Sequence, residues 1–362
     1  MRPLARTVPV PPPEAAQAVE PVEEVRFGGR RLRARALLDV AGRVREAGIA
    51  VALALFVLVV AVIEPRFIEP NNLEEILLSV SILAIVAVGQ TLVVLTRNID
   101  LSVGSTVGLV AFVCADTLKG SPGTSVVLVV LLGVVLGAGL GVVNGLLVTV
   151  GRVPAIVATL GTLYIFRGVD FTIAGGKEVS ASDVPDAYLD LATSRVLGIP
   201  VLILFAAVVV LIASLALRRM RSGRELYAIG SNPEAARLAG VPSGRLVFLA
   251  FVVCGALCGL AGVLWGARFA TVDARAATGF ELTVVAAVVV GGVNIFGGSG
   301  TAIGATLGAI LLGTIENALS ILKLNPFWLQ AIQGAVIIAA VTLDAIVTRR
   351  LQRALRRARA RR

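Results

Sequence analysis

Residues 199–268 read IPVLILFAAVVVLIASLALRRMRSGRELYAIGSNPEAARLAGVPSGRLVFLAFVVCGALCGLAGVLWGAR. Two apolar runs, 199–217 and 245–268, flank one polar, arginine-rich connection. A helix needs about 20 apolar residues to cross a bilayer, so each run has the length of a span. The same alternation recurs along the chain. Of 362 residues, 57% are hydrophobic and 15% charged, against about 45–50% and 25% in soluble domains. Length alone allows two soluble domains, but this composition defines an all-α integral membrane protein.

Ten segments read as membrane helices: 48–64, 76–96, 101–117, 124–149, 153–173, 199–217, 245–268, 282–297, 299–321 and 327–348. Several are short, so eight, nine or ten complete crossings fit. With the N-terminus placed inside, 25 of the 33 Lys and Arg residues fall on the cytoplasmic side and 7 outside, as the positive-inside rule requires. Both termini are then cytoplasmic and the number of crossings is even. Acidic residues lean outward, with Glu64, Glu69, Glu74 and Glu75 in one loop and Glu178, Asp183, Asp186 and Asp190 in another. The net charge of +10 is therefore an orientation signal. No soluble basic domain is long enough to bind nucleic acid, and lipid is the surrounding medium.

Three regions follow. Residues 1–47 are an N-terminal cytoplasmic segment. Roughly its first 25 residues read as disordered, and 30–46 reads either as a basic amphipathic helix on the membrane or as a charged flank. Residues 48–348 are the transmembrane domain, with its longest internal connection at 218–244, and 349–362 are a basic tail. No histidine is present, which excludes His-based acid–base catalysis and His metal sites. Cys114, Cys254 and Cys258 cannot build a disulfide framework. Cys254 and Cys258, at i and i+4, read as packing residues, since two thiols alone make an incomplete metal site.

The fourth and ninth segments share a Gly/Leu-rich pattern ending in an asparagine and then a proline: Asn144 with Pro154, and Asn317 with Pro326. They are five segments apart, so the copies run in opposite senses. That is the pattern of an inverted repeat, in which a path forms at the repeat interface; chance likeness of Gly/Leu-rich helices is the other reading. Candidate path residues are Gln90, Asn98, Asp100, Ser102, Asn144, Asn294 and Asn317. Asp100 or Ser102 alternatively caps the third segment, and the asparagines alternatively bond between helices. Arg167 and Asp170, three apart, read as a pair reaching the outer interface, with substrate contact as the other reading. Glu316 and Asp344 lie near the ends of their spans.

Within 218–244, Asn232 is a good N-cap and Pro233 fits the first helical position. Gly240 stops the helix, leaving about two turns outside the bilayer. Such a helix is marginal alone and suits docking to a partner. Glu234-Ala235-Ala236 with Gly240 resembles the EAA loop of bacterial ABC importer permeases, although the Ile-x-Leu-Pro tail of that pattern is absent. The phrase LYAIGSNPEAARLAG (226–240) resembles the branch containing ribose, xylose, rhamnose and autoinducer-2 permeases. So do GQTLVVLTRNIDLSVGS (89–105) and VVVGGVNIFGGSGTAIGATLGA (288–309). The resemblance covers about residues 70–345 and is more specific for the family than for the sugar.

It implies a type II importer permease of about ten helices with an inverted repeat, in a bacterial inner membrane. It implies a second permease, identical or paralogous, an ABC ATPase subunit and an extracytoplasmic sugar-binding protein. Asn232, Glu234, Ala235, Ala236, Arg237 and Gly240 would form the coupling helix, with charge at Glu234 and Arg237 and small alanines fitting a groove. No cofactor is expected on this chain; ATP and Mg²⁺ would be used by the ATPase. No P-loop occurs, since Gly176-Lys177 is followed by Glu178, so the chain is not expected to be an enzyme. An ion-coupled secondary transporter is the alternative; it accounts for the repeat but not for the EAA-like helix.

Overall fold

The computed structural model describes residues 26, 27, 30, 31, 34–325, 327–335, 337–339 and 342. The readings for residues 1–25 and 349–362, for Pro326, and for residues 336, 340, 341 and 343–348 of the tenth segment, Asp344 included, lie outside them. The chain divides into two compact units, Met1–Val44 and Arg45–Arg362. The first holds an antiparallel hairpin of β1 (Arg26–Phe27) and β2 (Arg30–Arg31). Helix α1 runs Ala34–Ile63, so positions 30 and 31 are strand and the expected helix over 30–46 begins only at Ala34.

In the second unit, eight helices among the described residues are long and apolar enough to cross a membrane. They are the Glu46–Ile63 part of α1, α2 (Pro70–Leu95), α3 (Val103–Gly120), α4 (Val126–Thr149), α5 (Ala155–Ala174), α7 (Val201–Arg219), α10 (Ser243–Phe269) and α12 (Ala302–Ile321). Two shorter apolar helices accompany them, α11 (Phe280–Val290) and the helical residues 328–335 and 337–339. The spans differ sharply in depth. Within its apolar window α2 is 83% buried and α1 only 6%. Helix α2 is thus central, and α1 presents Val51, Leu55, Leu58, Val62 and their neighbours outward, where only lipid makes such a face stable.

Glycine sets the closest helix pairing. Gly133, Gly137 and Gly141 of α4 recur every four residues and so share one face. A Cβ on Gly137 would fall on the Gly255 carbonyl oxygen of α10, and one on Gly259 would fall on that of Gly133. With no side chain between them, the two backbones touch, which is the small-residue packing that holds helices together in lipid. On α2, Gly89 accepts the Cys254 backbone in the same way. Cys254 and Cys258 are both free and buried, and no group of metal-ligating residues occurs among the described residues.

The eighth segment departs from expectation. Helix α11 stops at Val290 after 11 residues, about 16 Å of rise, too little for a hydrocarbon core of about 30 Å. Gly292, Gly297, Gly298 and Gly300 all have positive φ, so the chain turns through 291–300 instead of remaining helical. The connection between α5 and α7 carries structure of its own. It holds α6 (Asp186–Thr193) and a hairpin of β3 (Arg195–Val196) and β4 (Ile199–Pro200). Tyr188 of α6 is buried and donates to the Val263 carbonyl at 2.9 Å.

Candidate functional site

At one end of the bundle, the 218–244 connection folds into two helices, α8 (Arg221–Ser231) and α9 (Pro233–Leu238). Sequence reasoning found only the second. The missed signal is the spacing of Gly223, Leu226 and Gly230, all buried on one face of α8. That face meets two other interruptions of the apolar pattern. The Arg97 side chain donates to the Gly230 carbonyl at 2.6 Å and to the Ser231 carbonyl at 3.0 Å, closing the C-terminus of α8 with a cation. The Gly298 amide donates to the Leu95 carbonyl at 3.0 Å. Tyr227 donates to the Gly300 carbonyl at 2.8 Å, and burial pushes its phenol up to about 12, so it is a protonated donor at neutral pH.

Helix α9 then projects from this base. The Asn232 side chain accepts from the Ala235 amide at 3.0 Å, with Pro233 at the first turn. Gly240, at φ +75, ends the helix while the Val241 amide returns to the Ala236 carbonyl at 3.0 Å. Glu234, Ala235 and Arg237 are exposed. Ala236 is buried in the bundle, so of the two alanines only Ala235 faces outward. Leu238, not singled out from the sequence, is 80% exposed. An apolar side chain thus stands in the open beside two charges.

Four of the candidate path residues bond to one another. Asp100 accepts from the Ser102 amide at 2.9 Å and the Ser102 hydroxyl at 2.7 Å. The Asn144 amide donates to Ser102 at 2.7 Å and more distantly to Asp100, and its oxygen accepts from Thr162 at 2.7 Å. Gln90, with its amide oriented to satisfy both groups, donates to the Asp100 carbonyl and accepts from the Asp100 amide, each at 3.2 Å. Gln90, Asp100, Ser102 and Asn144 are all buried. Their polar groups are occupied by one another, which is how such groups persist inside a membrane protein. The turn before α3 is thus made by Asp100, and the Ser102 side chain makes no capping bond. Asn98 bonds to Thr96. Asn294 accepts from the Phe296 amide at 2.7 Å within the 291–300 turn.

The opposite ends of α2, α10 and α12 surround a cavity of about 740 Å³. Asn317 lines it, whereas none of the other six candidate path residues does. Asn317 exchanges hydrogen bonds of 3.0 Å with Asn72 of α2. Trp265 and Phe269 of α10 and Phe280 of α11 form an aromatic wall, with ring centroids 4.6 and 5.3 Å from Trp265. The rim at Asp273–Gly279 is held from outside by Arg167, which donates to the carbonyls of Ala274 at 2.9 Å and Ala276 at 2.7 Å. Arg167 also pairs with buried Asp170 at 3.7 Å. The side chain therefore turns onto the loop, not outward to the interface, because two carbonyls and a carboxylate await it there.

A membrane bundle with a short exposed helix at one end and a cavity at the other suits a transport permease. The chain belongs to the family described as branched-chain amino acid transport system / permease component, which matches residues 72–341. It is 36% identical over 296 residues to the ribose import permease protein RbsC of Escherichia coli (strain K12), covering 81% of this chain and 92% of that protein. It is 40% identical over 305 residues to the autoinducer 2 import system permease protein LsrC of Enterobacter sp. (strain 638), covering 84% and 86%. No solved structure matches.

Proposed function

We propose that this chain is the membrane-spanning subunit of an ATP-driven importer that carries a monosaccharide of the ribose type across a bacterial inner membrane. Two such subunits, identical or paralogous, pair around the path. An ABC ATPase docks on α9 from the cytoplasm, where both termini also lie, and an extracytoplasmic binding protein delivers the sugar to the other face. ATP and Mg²⁺ belong to the ATPase. The ribose and autoinducer 2 permeases among its relatives favour a sugar over the branched-chain amino acids for which the family is named.

One observation carries the coupling. The exposed tip at Glu234, Arg237 and Leu238 stands on α8, and α8 is bonded to the ends of α2 and of the 291–300 turn. Helices α2, α11 and α12, which leave that junction, wall the cavity at their far ends. A push on α9 is therefore delivered through short backbone contacts to the helices that must move for alternating access. Closure of the ATPases on ATP supplies the push. Selection of the sugar begins at the binding protein, which delivers it to the path.

The test is association. Glu234→Ala with Arg237→Ala, or Leu238→Asp alone, should cut recovery of the ATPase with the solubilised permease about tenfold or more. Membrane insertion should be unchanged. Undiminished recovery in both variants would remove α9 as the docking element.

A further inference from the structure

Three carboxylates line the cavity, and two of them are already engaged. Glu75 pairs with Arg268 at 2.5 Å, and Asp273 accepts from the Arg275 amide at 2.9 Å. Glu316 lines the cavity from α12 beside Gly313, Asn317 and Ser320, is exposed to it, and makes no hydrogen bond or ion pair among the described residues. Its neighbour Asn317 is engaged with Asn72. An ionisable side chain within a membrane helix is expensive to keep and marks function by default. A carboxylate has about four acceptor positions and no donor. It therefore matches a ligand that offers several hydroxyl donors at once. The aromatic wall of Trp265, Phe269 and Phe280 supplies the complementary surface, an apolar platform for the C–H face of a ring.

We propose that Glu316 is a specificity-determining residue that accepts hydrogen bonds from adjacent hydroxyls of an uncharged polyol while the polyol's apolar face rests on the Trp265 wall. The inference rests on the importer reading and deepens it by giving the path its own contribution to selection. A site built to bond a hydroxyl rejects an analogue lacking it more strongly than an apolar site can.

The experiment uses the full chain in proteoliposomes with its ATPase and binding protein, and radiolabelled ribose, 2-deoxyribose and 3-deoxyribose as probes. Initial uptake is measured against the concentration of loaded binding protein for the wild type, Glu316→Gln and Glu316→Leu. The amount of ATPase retained with the reconstituted permease normalises for assembled transporter. With Glu316→Leu, ribose turnover should fall about tenfold or more, with half-saturation by the binding protein unchanged. Glu316→Gln, which keeps one acceptor oxygen, should recover part of the loss. For at least one deoxy analogue the loss should shrink to within about twofold, because the bond was never made. Equal losses on all three sugars, or none in either variant, would overturn the subsite and leave the importer reading standing. Absence of ATP-dependent uptake of every probe by the wild type would overturn the importer reading itself.

Discussion

Gly230 occupies the point where α8, the end of α2 and the 291–300 turn meet. A Cβ there would fall on the Leu95 carbonyl oxygen and the Gly298 amide, two groups that bond to each other. Gly230→Ala must therefore separate backbone from backbone, an overpacking that costs about 1–3 kcal/mol. Its thermal midpoint in detergent should drop, and transport per ATP hydrolysed should drop with it. Gly244→Ala, at a position with nothing within 4 Å, should leave both unchanged. The capping residues nearby were legible from sequence. Asn232, Pro233 and Gly240 act on their own helix, so a local pattern specifies them. The role of Gly230 was not, because its reason lies at Leu95 and Gly298, far away along the chain. The same distinction separates Glu234 and Arg237, recognisable in a motif, from Leu238, whose exposure only the folded chain reveals.

At the scale of elements, the pairing of α4 with α10 is the firmest joint in the bundle. Gly137→Val would drive a branched side chain into the Gly255 carbonyl and the Gly259 backbone. The expected cost is about 1–3 kcal/mol or more, read as a lower thermal midpoint and a smaller yield of folded protein. Gly139→Val faces open space on the same helix and should be neutral. The four-residue spacing of these glycines is visible in the sequence and defines a face. Which helix that face meets is not, since periodicity carries no information about the neighbour. The outer connection behaves differently. Asp183 accepts from the Ser180 amide at 3.0 Å and from Lys119 at 2.9 Å, and these two, the amide first, hold its carboxyl below the usual value. A carboxyl depressed in the folded state stabilises above its unfolded pKa and loses that contribution as pH falls through the folded value. The protection factor of the Ser180 amide, its exchange corrected for the intrinsic pH dependence, should therefore hold down to about pH 4 and fall only below it. Asp183→Asn should be less protected at pH 7, with its protection flat across the same range. Loss of protection in the unsubstituted chain between pH 6 and 5 would contradict this.

At the scale of the whole molecule, the interruptions of the apolar pattern carry more information than the apolar runs. The runs gave membrane residence and most helix positions, because lipid demands length and hydropathy of any span. They overextended α11, whose residues are apolar enough to continue but whose following glycines turn the chain. The interruptions at 97–102, 218–244 and 291–300 are remote in sequence, yet they assemble into one junction beneath α9. Polar residues were the least legible. Hydropathy places Gln90, Asp100, Ser102 and Asn144 at a depth but cannot tell that they bond to one another, whereas Asn317 and Glu316 do reach the cavity. The central claim is that force enters at α9 from an ATPase and opens a path for sugar at the far end. Its most direct measurement is sugar uptake into proteoliposomes holding this chain, its ATPase and its binding protein, with ATP or an imposed ion gradient as the sole energy source. Uptake that requires ATP and the ATPase, and vanishes with Glu234→Ala/Arg237→Ala, is the predicted result. Uptake driven by the ion gradient with no ATPase present would contradict it.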